Sequence, residues 1–231
     1  MHTISPRDGS AVRQGKQFMN ISMVLKTLMG AAALSLPLVA SAASTYTTGN
    51  GTLTAAATVN FSVVIPQVLY LRVGTGSAYT TGTLATNATT DLITFSPAVG
   101  TVGDGTAVAG TGGDLTGGVE TAAVVSNGGN VSLVASEAAA GLTDGNGDFI
   151  PFSQITTTAA ANTATYTTLP APVLNGTGTS STVTLTASAA KVITADAKWT
   201  FSFANTATYP GGTYGGAGIN NSLVTYTATM P

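Results

Sequence analysis

Between Thr52 and Ile65 every second residue is apolar. Leu53, Ala55, Ala57, Val59, Phe61, Val63 and Ile65 are apolar, and Thr52, Thr54, Ala56, Thr58, Asn60, Ser62 and Val64 stand between them. Residues in steps of two share one face of an extended chain, whereas on a helix the same seven would scatter around the whole circumference. The segment therefore reads as a strand with one greasy face, and Pro66 ends its ladder. The rest of the chain uses the same vocabulary: 42 threonines and 28 glycines in 231 residues supply β-branched side chains for pleated surfaces and flexible corners for turns.

What is missing narrows the field further. With no cysteine, disulfide scaffolds, zinc knuckles and thiol nucleophiles are excluded. Only 7% of residues are charged, too few for a basic face that neutralises phosphates, while 44% are hydrophobic, too many for a charged disordered chain.

The N-terminal region reads as separate from the domain. Residues 1–18 are polar and carry Arg7, Arg13 and Lys16, as translated upstream sequence or a non-native leader would. Residues 19–42 read as a signal peptide: Lys26 precedes the apolar run Leu28 to Val39, and Ala40-Ser41-Ala42 places small residues where a signal peptidase cuts. The run is short for a membrane span and Pro37 interrupts it. Beyond residue 42 the chain has three basic side chains (Arg72, Lys191, Lys198) against eight acidic ones, and the sole histidine, His2, lies before it. The usual general base and the two best transition-metal ligands are then absent from the mature part, so no catalytic residue is expected and the chain reads as a non-enzyme.

Along the mature part, short strands alternate with glycine-rich turns. Expected strands are Val68 to Val73, Asp91 to Ser96, Phe149 to Ile155 bent at Pro151, Ala164 to Leu169, Thr182 to Ala187, Lys198 to Ala204 and Leu223 to Met230. Trp199, Phe201 and Phe203 share one face and form the heaviest part of the expected core. Val119 to Ser126 and Val131 to Ser136, joined by Asn127-Gly128-Gly129-Asn130, read as a hairpin. The stretch Val99 to Gly118 is too rich in glycine for a buried ladder and reads as a surface loop or an edge excursion, its acids Asp104 and Asp114, with Glu120 just beyond, as solvated charges. No convincing helix emerges, and the pattern is that of an all-β antiparallel sandwich.

One motif invites a metal. Asp144, Asn146 and Asp148 space three oxygen ligands as the opening of a calcium loop does, but Phe149 and Ile155 stand where that loop needs glycine and glutamate. A polar hairpin turn is the simpler reading, with calcium the only cofactor worth testing.

The terminal strands carry the functional expectation. A strand can leave its own subunit and supply hydrogen bonds and apolar side chains to a neighbour that lacks one, and a head-to-tail contact of this kind polymerises. Thr52-Leu53-Thr54-Ala55-Ala56-Ala57-Thr58-Val59 running on through Val64-Ile65-Pro66-Gln67-Val68-Leu69-Tyr70-Leu71, the Val124 to Leu133 region, the Tyr209 to Tyr214 turn and the closing Val224 to Met230 alternation together resemble the major pilins of the alternative (CS1-type) chaperone–usher fimbriae and the related spore-coat-U-like pilins. The resemblance implies an incomplete immunoglobulin-like sandwich, with residues 43–66 as donor segment and 67–231 as body. It implies a donor face of Leu53, Ala55, Ala57, Val59 and Phe61, and an assembly edge of Val224, Tyr226, Ala228 and Met230. Partners would be identical subunits in an extracellular fimbrium, preceded by a periplasmic chaperone and an outer-membrane usher; nucleic acid and, after signal cleavage, membrane are not expected. The different-class alternative is a secreted β-sandwich binding module, an adhesin or a carbohydrate or surface binder.

Overall fold

The computed structural model describes residues 43–74, 84, 86, 88–178 and 181–231; the leader and signal segment and most of the Thr75 to Thr90 loop lie outside the described residues. The chain divides into two units, Met1–Val64 and Ile65–Pro231.

In the first unit β1 (Ala43–Ser44) pairs antiparallel with β2 (Ala57–Thr58), Ala43 opposite Thr58. Thr45 extends the contact, its Oγ1 donating to the Ala56 carbonyl at 3.0 Å and accepting from the Ala56 N–H at 2.9 Å. The ladder is far shorter than the strand expected from Leu53 to Ile65. Two strands with no layer to cover them gain little from pairing, and here every residue from Thr45 to Val64 is exposed.

The second unit is all-β. Its strands are β3 (Leu69–Val73), β4 (Ile93–Thr94), β5 (Val108–Ala109), β6 (Thr111–Gly112), β7 (Val119–Ser126), β8 (Val131–Glu137), β9 (Gly141–Thr143), β10 (Phe149–Pro151), β11 (Ile155–Ala160), β12 (Thr167–Thr168), β13 (Val183–Leu185), β14 (Ile193–Phe203) and β15 (Val224–Thr229). Helix among the described residues is confined to 3-10 turns at Val99–Thr101 and Phe152–Gln154. One sheet has the order β11-β14-β7-β3, with β5 and β12 also on β14; the second has the order β13-β8-β15. All pairings are antiparallel except the short one between β12 and β14.

β7 and β8 have nearly their expected bounds but do not form the expected hairpin. β7 pairs with β14 and β3, whereas β8 pairs with β13 and β15, so Asn127 to Asn130 carries the chain from one sheet to the other. The turn residues are spent on anchoring: Asn127 Oδ1 accepts from the Val68 N–H at 2.7 Å and its Nδ2 donates to the Pro66 carbonyl at 2.8 Å. Asn130 Oδ1 accepts from the Ala187 N–H at 2.9 Å. Crossing over lets the inner faces of β7 and β8 meet in one core, which a flat hairpin would not.

That core joins Ala122 and Val124 of β7, Trp199 and Phe201 of β14, Val131 and Leu133 of β8 and Leu185 of β13. Trp199 is fully buried, donates its Nε1–H to the Leu169 carbonyl at 2.8 Å and meets the Tyr226 ring of the opposite sheet at 5.2 Å. The expected aromatic face of β14 is thus in place, although the strand begins five residues earlier than expected. Ala195 and Ala197 carry the same alternation back to Ile193, in side chains too small to advertise it.

Candidate functional site: a groove beside the closing strand

β15 shows why period two matters at its own end of the chain. Val224, Tyr226, Ala228 and Met230 are half-buried and Thr225, Thr227 and Thr229 exposed, so the four residues expected as an edge do share one face. β15 pairs with β8 on one side, and among the described residues no strand pairs with its other side. A strand edge of this kind presents a row of main-chain donors and acceptors to any extended segment.

Beside that edge lies a groove of about 1200 Å³. Leu71 and Val73 of β3, Phe95 just after β4, Phe203 of β14 and Tyr226 of β15 line it. Phe203 is the hinge of its aromatic wall, with ring centroids 6.4 Å from Phe95 and 6.5 Å from Tyr209. The Tyr209 to Tyr214 turn borders the groove, held in shape by Tyr214 Oη donating to the Pro210 carbonyl at 2.9 Å. At its far end β15 is closed by Met230, whose sulfur accepts from Ser126 Oγ at 2.9 Å.

The N-terminal arm has the complementary character. Leu53 is 49% exposed, Val59 61%, Phe61 91% and Val63 82%, and Ala55 and Ala57 are exposed as well. One chain therefore carries an uncovered apolar strip at one end and an uncovered apolar groove near the other.

Of the three acids read as solvated charges, Asp104 is exposed, and Glu120 and Asp114 depart from that reading. Glu120 is only 5% exposed, on β7, with the same parity as Ala122 and Val124 and directly opposite Trp199, so it lies on the core face and not in a solvated loop. Asp91 and Glu120 both line the groove. How closely they converge is shown at Gly74 (φ +79°), where an added Cβ would lie 2.6 Å from Asp91 Oδ2 and 2.8 Å from Glu120 Oε2. Burial, then the charges of Asp91 and Asp114, pushes the Glu120 carboxyl up to about 7. Asp114 is likewise engaged: it accepts from the N–H of Thr121 at 2.8 Å and from the Thr121 hydroxyl. Parity with Ala122 was the available signal for Glu120; the glycine-rich approach masked it. The groove's β3 and β4 walls had no signal, because the loop joining them hides which strands become neighbours.

Asp144, Asn146 and Asp148 form the turn between β9 and β10, where Thr143 pairs with Phe149. Asp144 Oδ1 accepts from the N–H of Asn146 at 2.8 Å and of Asp148 at 3.2 Å, and the Asn146 N–H foremost holds the Asp144 carboxyl below its usual value. The carboxylate is thus spent on its own turn. Among the described residues no group of three or more His, Cys, Asp or Glu is arranged to hold a metal ion.

Comparison with protein-family models, with curated proteins and with solved structures finds no match to this chain.

Proposed function

We propose that this protein is a structural subunit of an extracellular bacterial filament, in which the Leu53 to Ile65 arm of one subunit fills the groove of the next. The observation that carries this reading is the pairing of opposites in one chain: a strip of exposed apolar side chains at every second position, and an apolar groove beside a strand edge with which no strand pairs among the described residues. An inserted arm would add its main chain to β15 and point alternate side chains into the groove. Burying a side chain such as Val59 or Phe61 is worth about 1.5–3 kcal/mol each. β15 is six residues long, about 20 Å, and the thirteen residues from Leu53 to Ile65 reach about 43 Å when extended, so the arm has length to spare.

In this reading the body is an immunoglobulin-like sandwich that lacks one strand, as the resemblance to chaperone–usher pilins implies. A periplasmic chaperone would hold the groove until the usher exchanges it for the next arm. The arm and the groove belong to opposite surfaces of the contact, so the joint is heterologous and grows without closing. The low charge, and a mature part without histidine or cysteine, suit a building unit more than a catalyst. The test is to shear filaments from the cell surface, identify their subunits by mass spectrometry and examine a Phe61→Asp strain. Filaments containing this chain, lost in the mutant while the subunit is still secreted, are expected; intact filaments from the mutant would refute strand donation.

A further inference from the structure

A donor arm joined to a body with an open groove has a competing acceptor nearer than any neighbour, its own groove. The arm leads directly into β3, which ends its sheet among the described residues and supplies Leu71 and Val73 to the groove wall. A reversal of the chain between Ile65 and Leu69 would lay the arm along β3 and fill the groove from within. The residues at that point invite one: Ile65-Pro66-Gln67-Val68 has proline at the second position of a β-turn, where its fixed φ is favoured. A subunit filled in this way has no site for a neighbour's arm.

We propose that Asn127 and Val68 form a lock that keeps the arm out of its own groove and so assigns it to a neighbouring subunit. The inference rests on the strand-donation reading and adds its specificity. A turn over Ile65 to Val68 closes by a hydrogen bond from the Val68 N–H to the Ile65 carbonyl. That N–H is already given to Asn127 Oδ1 at 2.7 Å. Asn127 holds the joint twice more, its Nδ2 donating to the Pro66 carbonyl at 2.8 Å and its own N–H to the Val68 carbonyl at 3.3 Å. These bonds carry the β3–β7 ladder on past Leu69 and Ser126, so the chain enters β3 extended. The turn itself is packed against the joint: a Cβ added at Gly128 would lie 2.5 Å from Met230 Sδ and 3.2 Å from Gln67 Nε2.

Parity supplies the other half of the lock. With Pro66 and Gln67 alone in the loop, Ser62 would stand opposite Leu71 and Asn60 opposite Val73, and residues directly opposite share a face, so polar side chains would meet the groove wall. Adding Val68 to the loop puts Val63 opposite Leu71 and Phe61 opposite Val73, the apolar match. Three-residue loops of this kind end in a left-handed residue, here the β-branched Val68, for which positive φ is strongly disfavoured. The one self-filling turn that suits the groove is therefore opposed by Val68 through its shape and by Asn127 through the hydrogen bond it takes.

The test measures binding of an end-blocked, fluorescein-labelled peptide of residues 52–66 to three full-chain subunits. Phe61→Asp has the lock intact and the arm spoiled, Val68→Gly with Asn127→Ala is unlocked with a working arm, and the third subunit combines all three substitutions. Phe61→Asp and the combined variant should bind the peptide with equal strength. The unlocked subunit should sediment as a monomer and bind at least about tenfold more weakly, because its tethered arm competes at an effective concentration on the order of millimolar. Peptide affinity in the unlocked subunit equal to that of Phe61→Asp, or filaments from it like those of the parent, would overturn the lock while leaving strand donation intact. So would a combined variant that has lost binding, since Asn127 and Val68 would then shape the groove and not the joint. A peptide that binds none of the three would overturn both.

Discussion

The N-terminal arm and the closing strand are written in the same alternation, yet they meet opposite fates. From Val224 to Thr229 the closing strand has β8 beside it and a core beneath it, and its apolar face is half-buried. From Leu53 to Val64 the arm has a two-residue ladder and no buried side chain. Alternation states which side chains share a face; it does not supply the layer that covers them. For the arm that layer is, in our proposal, another subunit.

Substitutions at the two ends should therefore part company, and the largest divergence is expected for aromatics. Trp199→Ala opens the core and should cost about 3–5 kcal/mol of subunit stability in urea unfolding. Phe61→Ala should leave the subunit within about 0.5 kcal/mol of the parent, while removing its ability to polymerise. A large stability loss in Phe61→Ala would mean that the arm already packs within its own subunit and would break the comparison.

The next effect comes from the groove wall. Glu120 has its folded-state pKa raised above the unfolded value, so between about 4.5 and 7 the folded state binds the extra proton. Its contribution is fully present below about 4.5 and is lost as pH rises through about 7, at up to about 1.4 kcal/mol per pH unit. Unfolding of monomeric wild type and Glu120→Gln across this window should show a slope in the first that the second lacks. Equal slopes would return Glu120 to the solvated class in which its neighbours in sequence suggested it belonged.

A smaller effect is expected at the sheet-to-sheet connection. Asn127→Ala removes the acceptor for the Val68 N–H and the donor to the Pro66 carbonyl, and should cost about 1–2 kcal/mol. Were Asn127 only a permissive turn residue, glycine there would be harmless; Asn127→Gly is expected to be as costly as alanine. The smallest effect belongs to the β9–β10 turn. Asp144→Ala should lower the melting temperature slightly, and added calcium should leave that of the parent unchanged.

Much of the fold could be read in advance because its cues are local. Val119 to Ser126 and the aromatic face of Trp199, Phe201 and Phe203 announce themselves by period two and side-chain size. What could not be read is pairing. Asn127-Gly128-Gly129-Asn130 has the composition of a hairpin turn, yet two strands that both carry a buried apolar face gain more by lying in facing layers than side by side. Glu120 was hidden for a related reason: a charge after a glycine-rich stretch looks solvated until the strand that begins at Val119 fixes its parity. The closing strand's face, Val224, Tyr226, Ala228 and Met230, could be read from sequence; the groove it borders could not, because Leu71, Phe95 and Phe203 come from three distant stretches.

Strand donation requires the arm of one subunit to lie against β15 of another, and the absence of cysteine makes this directly measurable. Thr227, exposed on β15, is replaced by cysteine in one subunit, and Thr58, Asn60 or Ser62, exposed on the arm, in a second. The subunits are mixed under oxidising conditions and run on non-reducing gels. A mixed disulfide dimer is expected in one of the three pairings and not in the others, fixing the register of the inserted strand. No mixed dimer in any pairing, from subunits that still form filaments, would contradict it.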